Sequence, residues 1–315
     1  MIAQVEICLT ISIKNDILRL LEFWKINGGM SMKEKVKIGI IGGSGLYQMD
    51  GLEGVTTMAV DTPFGLPSDE LIIGNLNGEK IAFLARHKRG HSIMPTEINY
   101  RANIYALKSI GVKWILSISA VGSLRKELHP LDMVVPDQVF DHTRHRVSTF
   151  FGNGVVAHVG FADPFCPELS QILFNTATDA GCHVHKGGTY ICMEGPQFST
   201  RAESNIYRQL GFDIIGMTAM PEAKLAREAQ ICYATLAMVT DYDVWHETTG
   251  DVTIEMVIEN LNKNVANAKR IIKEIIPRIP EKRECVCASA LKDAVMTNPD
   301  LISNEMREKL AVLMK

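Results

Sequence analysis

The chain has 315 residues, 46% hydrophobic and 22% charged, enough to bury a sizeable core without metal or disulfide staples. Its net charge of −3 excludes a global field that would attract nucleic acid or an anionic membrane, so any anionic ligand must be held by a local site. No run of about 18 apolar residues offers a membrane span, and the seven scattered cysteines read as small core residues of a reducing, cytoplasmic compartment.

Met1 to Ile13 is largely apolar, but Glu6 interrupts it, and it has neither a basic leader nor a small-residue cleavage site. Asn15 to Lys25 carries Ile17, Leu18, Leu21, Phe23 and Trp24 at the spacing of a short amphipathic helix. The first strong strand begins at Lys35, just after Met30 and Met32, so residues 1–31 are either an extension or lie upstream of a start at Met32. Lys35 to Ile41 is a β-branched run ending in Gly42-Gly43-Ser44-Gly45. Leu71 to Leu76 and Lys80 to Ala85 form two short strands around Asn77-Gly78, the signal of a type I′ hairpin. Glu97 to Ile110 is helical, with Gly111 as its stop. Further strands are expected at Trp114 to Ser119, Asp132 to Pro136, Thr189 to Met193, Asp213 to Gly216 and Tyr233 to Val239. Helices fall between or after them, at Pro167 to Ala180, Thr200 to Leu210, Ala219 to Ala229 and Thr253 to Ile276. A polar joint at Pro280 to Arg283 precedes the Cys285-Val-Cys287 pair and a helix over Asn298 to Lys315. Alternating strands and helices predict an α/β domain around a mixed or largely parallel sheet.

The glycine run invites a dinucleotide-binding reading and does not satisfy it. That motif needs a third glycine opening a helix, whereas Gly43-Ser44-Gly45 is followed by Leu46, Tyr47 and Gln48 and soon by further turns. No Gly-Lys-Ser/Thr follows, so it is not a P-loop either. What is left is a Ser hydroxyl and backbone N–H groups at a strand end, suited to a phosphate oxygen or to a plain structural turn. Cys182, His183 and His185 lie close together, but their spacing fits no standard zinc module, and no metal is expected.

Further segments occur in order along the chain: Asp61-Thr-Pro-Phe-Gly65, Ala85-Arg86-His87, Pro95 to Tyr100, Ser119-Ala-Val-Gly122, Glu194-Gly-Pro-Gln-Phe-Ser-Thr-Arg-Ala-Glu203, Gly216-Met-Thr-Ala-Met-Pro-Glu222 and Thr240-Asp-Tyr-Asp243. From about Val36 to about Ile276 this series resembles the trimeric purine nucleoside phosphorylase family, and within it the methylthioadenosine phosphorylase branch. The resemblance implies a single nucleoside phosphorylase domain over 32–280, its mixed sheet partly closed into a barrel and flanked by helices, with 281–315 packed on it. It implies a phosphate site of Ser44, Arg86, His87, Ser119, Ala120 and Thr218, a guanidinium among neutral donors. Met217 is implied to bind the ribose, and Phe198 and Ser199 to flank the base. Asp241 and Asp243 end an apolar strand, where α/β enzymes place reactive groups. Adenine offers an amino donor at N6 and an N7 that gains a proton as the glycosidic bond breaks, and both suit carboxyl groups. Asp241 stands where 6-oxopurine enzymes use asparagine, and Ser199 where they use glutamate; both departures favour a 6-aminopurine. Ile254, Val257 and Ile258 share a helix face that suits a methylthio group, or plain core.

The implied reaction is phosphorolysis, with inorganic phosphate as co-substrate and no cofactor. The expected partners are a small nucleoside, phosphate and further copies of the chain, in a trimer or a dimer of trimers with His142 or a neighbour near an adjacent site. In thermophilic archaeal relatives a pair like Cys285-x-Cys287 forms a disulfide, and Cys166–Cys232 is implied likewise. A phosphorylase of 6-oxopurine nucleosides or of methylthioinosine is the alternative within the family. Outside it stand a nucleotide-cofactor oxidoreductase and a non-catalytic ligand-binding protein.

Overall fold

The computed structural model describes residues 36–43, 45–46, 48–246 and 254–314, together one compact unit within Val36–Lys315. The N-terminal extension, Ser44 and the side chains of Ile254 and Val257 lie outside the described residues. Eleven strands form one mixed sheet. Strand β1 (Ile38–Gly42) is buried along its whole length because β4 (Glu79–Ala85) and β5 (Trp114–Ser123) flank it, both parallel to it. A parallel strand covered on both faces needs apolar residues at every position, and Ile-Gly-Ile-Ile-Gly supplies them. β3 (Leu71–Leu76) meets β4 through Asn77 at φ 52° and Gly78 at φ 81°, the doubly left-handed pair that a type I′ turn demands.

β5 is the trunk of the sheet. Along nearly its whole length it pairs in parallel with β11 (Cys232–Asp241), and at Gly122 and Ser123 with antiparallel β10 (Ile214–Gly216). β10 continues to β9 (Thr189–Met193) and β7 (Gln138–His142), while β11 continues to β6 (Met133–Val135) and β8 (Val184–Lys186). The sheet therefore curls around β5 on two branches, and hydrogen bonds do not close the curl. Side chains of β5 alternate between two cores. Ile115 and Val121 pack with α1 (Tyr100–Ser109) and α4 (Ala219–Glu228), and Trp114, Leu116 and Ile118 with α2 (Pro167–Asp179) and α5 (Ile254–Ile275).

Three short strands were not expected from the sequence: β7, β8 and the exposed edge strand β2 (Glu53–Met58), which among the described residues pairs only with β3 and carries no apolar alternation. The expected C-terminal helix is broken. A single turn at Pro299–Leu301 precedes α6 (Asn304–Leu310), and between them Ser303 caps α6 by accepting from the Met306 N–H. Ile302, Met306, Leu310 and Leu313 are buried in the core that holds α1 and α4.

Candidate functional site

The parallel strands β1 and β4 end side by side, Gly42 opposite Ala85, against the middle of β5, and β11 ends further along β5, with Asp241 opposite Gly122. β1, β4 and β11 each release a segment singled out by the sequence, and Ser119–Gly122 lies within β5. Asp241 and Asp243 emerge here, both buried. The Asp243 N–H donates to Asp241 Oδ1 (2.8 Å), and the Thr240 hydroxyl donates to Asp241 Oδ2 (2.7 Å). Asp243 holds φ 51°, a left-handed conformation that an aspartate tolerates better than most residues. Gly122 makes room for the pair, since a Cβ there would lie 2.9 Å from Asp241 Oδ1 and 3.1 Å from Ile215. Burial raises both carboxyl pKa values, and their proximity adds to the shift at Asp241. Asp243 Oδ2 is buried with no hydrogen bond of ordinary length among the described residues, although the Ser199 and Ser204 hydroxyls stand near this carboxylate. Such an atom carries a desolvation cost that a bound donor would remove.

Two residues missed in the sequence hold this strand end. Asn260 and Asn264, one turn apart on α5, donate to the carbonyls of Thr240 (2.7 Å) and Val239 (2.9 Å). Trp245 Nε1 donates to the Ser123 carbonyl (2.7 Å), fastening the chain just past the aspartates under the Arg208 guanidinium.

On the phosphate side, the Arg86 N–H donates to the Gly42 carbonyl (3.0 Å), which ties the Arg-His pair to the glycine turn. Most of the Arg86 guanidinium is engaged within the protein. Nε and Nη2 grip the two oxygens of Glu222 at 2.9 Å each, Nη2 also donates to Ser117, and Nη1 donates to the Ile118 carbonyl (3.1 Å). A guanidinium has five N–H groups, so these bonds leave one on Nη1. Glu222 is fully buried and also accepts from Ser117 and Tyr233. Burial opposes the charge on Arg86, and Glu222 more than offsets it, holding the pKa above its ordinary value. The neighbouring His87 places Nδ1 2.9 Å from the Ile93 carbonyl, which can only accept, so Nδ1 carries the proton. Burial and then the Arg86 charge lower the His87 pKa to about 4. At neutral pH the ring is therefore uncharged and its Nε2 is an acceptor. Ser119 Oγ and Thr218 Oγ1 lie 3.2 Å apart, both buried, and the adjacent Ala120 is exposed.

Between these two halves run the Glu194-Gly-Pro and Gly216-Met-Thr segments. Arg146, missed in the sequence because it lies outside the ordered motifs, clamps them together. Its Nη1 donates to the carbonyls of Met217 (2.5 Å) and Met220 (2.7 Å), its Nη2 to that of Glu194 (2.7 Å), and its Nε to the Glu194 carboxylate (3.2 Å). Met217 in turn packs its sulfur where a Cβ on Gly195 would sit, 2.5 Å away. Phe198 is 52% exposed, Ser199 is buried, and Ser199 lies beside Asp243. Of the apolar trio expected at the 5′ end, only Ile258 is described, and it is 51% exposed.

The cysteine pairs differ from expectation. Cys285–Cys287 and Cys166–Cys232 are not bonded; all four are thiols, gathered into one cluster whose sulfurs lie within 4.8 Å of one another. The close approaches run across the expected pairs, at 3.2 Å for Cys232–Cys285 and 3.6 Å for Cys166–Cys285. His183 and His185, whose spacing fits no standard zinc module, both bond the carboxylate of Asp132, at 2.7 and 2.9 Å.

Residues 37–277 match the model of the phosphorylase superfamily. The S-methyl-5′-thioadenosine phosphorylase of Geobacter sulfurreducens is 56% identical over 88% of this chain and 97% of its own length. That of Hyperthermus butylicus is 54% identical over 83% and 96%. Among solved structures, a methylthioadenosine phosphorylase from an antarctic soil metagenomic library superposes with a TM-score of 0.86, at 52% identity over 90% of this chain and 100% of that one. The Schistosoma mansoni methylthioadenosine phosphorylase, solved with adenine, gives 0.76 at 36% identity over 89% and 98%. Motifs, mixed sheet and relatives agree: the chain belongs to the phosphorylase superfamily, in its methylthioadenosine phosphorylase branch.

Proposed function

We propose that the chain cleaves S-methyl-5′-thioadenosine with inorganic phosphate, giving adenine and 5-methylthioribose 1-phosphate, without a cofactor. The observation that carries this reading is the buried aspartate pair, with both pKa values raised and one carboxyl oxygen unpartnered. Asp241 in its protonated form donates to N7 as the glycosidic bond breaks, so the base leaves as neutral adenine. The unpartnered Asp243 Oδ2 accepts from the N6 amino group, with Ser199 at its side. Phe198 covers the purine face, and the Met217 segment, fixed by Arg146, supports the ribose. Ile254, Val257 and Ile258 take the methylthio group.

Phosphate sits among Ser44, the remaining Nη1 proton of Arg86, Ser119, the Ala120 backbone and Thr218. A neutral His87 accepts a hydrogen from a P–OH group through Nε2, so it orients the nucleophile without adding charge. Phosphate then attacks C1′ of an oxocarbenium-like sugar, and catalysis rests on alignment and electrostatic stabilisation. We further propose that the chain works in the cytoplasm as a trimer or a pair of trimers. The 46% exposed Phe140 is a large apolar group that a neighbouring copy would cover.

The test is base release from methylthioadenosine and from inosine, each with and without phosphate. Phosphate-dependent release from methylthioadenosine is the expected result. Preference for inosine overturns the roles of Asp241 and Asp243, and release without phosphate overturns the phosphate site.

A further inference from the structure

Cys166, Cys232, Cys285 and Cys287 come from three distant parts of the chain and serve no step of the reaction. Cys166 is the N-cap of α2, Cys232 opens β11, and Cys285 and Cys287 flank Val286 in the C-terminal segment. Cys166, Cys232 and Cys287 are buried in the apolar core beneath α2 and α5, and Cys285 is half-buried at its margin. The four sulfurs all lie within 4.8 Å of one another, with measured approaches of 3.2 and 3.6 Å. Four sulfurs around a zinc ion at about 2.3 Å stand about 3.8 Å apart at tetrahedral geometry. A disulfide instead needs its two sulfurs at about 2.0 Å, and Cys285 lies near two different partners rather than one. An ordinary hydrophobic role does not account for the gathering, since isolated buried cysteines pack well without meeting.

We propose that these four cysteines form a tetrathiolate site for a zinc-class divalent cation, which fastens the segment after Ile279 to α2 and β11. Each thiol yields its proton to solvent and a sulfur lone pair to the metal; no electron is transferred, so no oxidant is required. The resulting anionic centre lies at a helix N-terminus, which favours it. The N-terminus of the 13-residue α2 begins at Cys166. The half-buried sulfur of Cys285 leaves one side through which the metal enters.

The experiment is cobalt substitution of the full-length protein, read by absorption, beside the elemental zinc content and intact mass of the protein as isolated. The site predicts one bound metal per chain. On cobalt loading it predicts thiolate-to-cobalt charge transfer in the near ultraviolet together with tetrahedral d–d bands. Cys285→Ser and Cys287→Ser each weaken binding by orders of magnitude, while Cys182→Ser, outside the cluster, leaves it unchanged. Metal held instead by Asp132, His183 and His185 would show no thiolate band, and that result overturns the assignment. So does a metal-free isolated protein whose mass is short by the hydrogens of two disulfides. The wild-type spectrum and mass keep the test decisive if the variants fail to fold.

Discussion

The raised pKa of Asp241 serves the proposed reaction and costs stability. Burial raises its pKa, and the nearby Asp243 charge adds to the rise. In the proposed reaction only the protonated acid can donate to N7, so kcat/KM on methylthioadenosine falls as pH increases through the raised value. The same shift acts on stability. Below the ordinary carboxylate value of 3.8 the group is protonated in both the folded and unfolded chain. Between that value and the raised one, the unfolded chain ionises while the folded chain stays protonated, so stability is lost with increasing pH. Asp241→Asn removes both effects without removing the local bonds. Its Oδ1 still accepts from the Asp243 N–H, and Thr240, already 3.2 Å from the Val121 carbonyl, can donate there and accept from the new amide. We expect Asp241→Asn to lose about 10²–10⁴-fold in turnover of adenine nucleosides, to gain on inosine, and to show a flatter dependence of stability on pH. Unchanged selectivity between the two nucleosides would remove Asp241 from the proton-donating role.

Helix α3 (Arg201–Gln209) shows how an element carries the site and how far the sequence disclosed it. Thr200 accepts from the Glu203 N–H and Glu203 returns a bond to the Thr200 N–H, a complete capping box directly after Phe198-Ser199. Thr200→Ala is expected to cost about 1 kcal/mol of stability and to raise the KM for the nucleoside more than that for phosphate, because the released turn carries the base-flanking residues. Equal effects on the two KM values would mean that the cap serves the fold alone. This helix, the Asn77-Gly78 hairpin and the buried strands β1, β5 and β11 were legible because periodicity, caps and turn residues are local signals. The aspartate pair and the Arg-His pair were singled out through ordered motifs. Glu222 stood inside one of those motifs, yet nothing local says that it would grip Arg86 from 136 positions away. Arg146, Asn260 and Asn264 act on backbone carbonyls, which the sequence does not mark at all. The four cysteines were visible as residues and not as a cluster, because only the fold brings α2, β11 and the C-terminal segment together. Strand β2 escaped because an exposed edge strand needs no apolar alternation.

For the molecule as a whole, the question is whether the segment after Ile279 is an appendage or part of the cooperative core. Its polar joint and broken helix suggest an appendage. Its burial says otherwise: Leu310 and Leu313 are fully inaccessible, and they join Ile302 and Met306 in the core that holds α1, α4 and one face of β5. Removing the outer atoms of Leu310 leaves a cavity in that shared core rather than a frayed end. Leu310→Ala is therefore expected to cost about 2–5 kcal/mol, and the cost should reach elements with no contact to residue 310. The measurement is native-state amide exchange along β5, whose slowest amides open only with the whole domain. If the segment belongs to the cooperative core, exchange of those amides accelerates by about 30-fold or more, the factor equivalent to the lower end of that cavity cost. If it is an appendage, exchange accelerates only within 299–314 and β5 is unaffected. The same readout with and without a chelator tests the tetrathiolate site at this scale, since a metal joining Cys285 and Cys287 to Cys166 and Cys232 would bind the segment to β11 independently of Leu310.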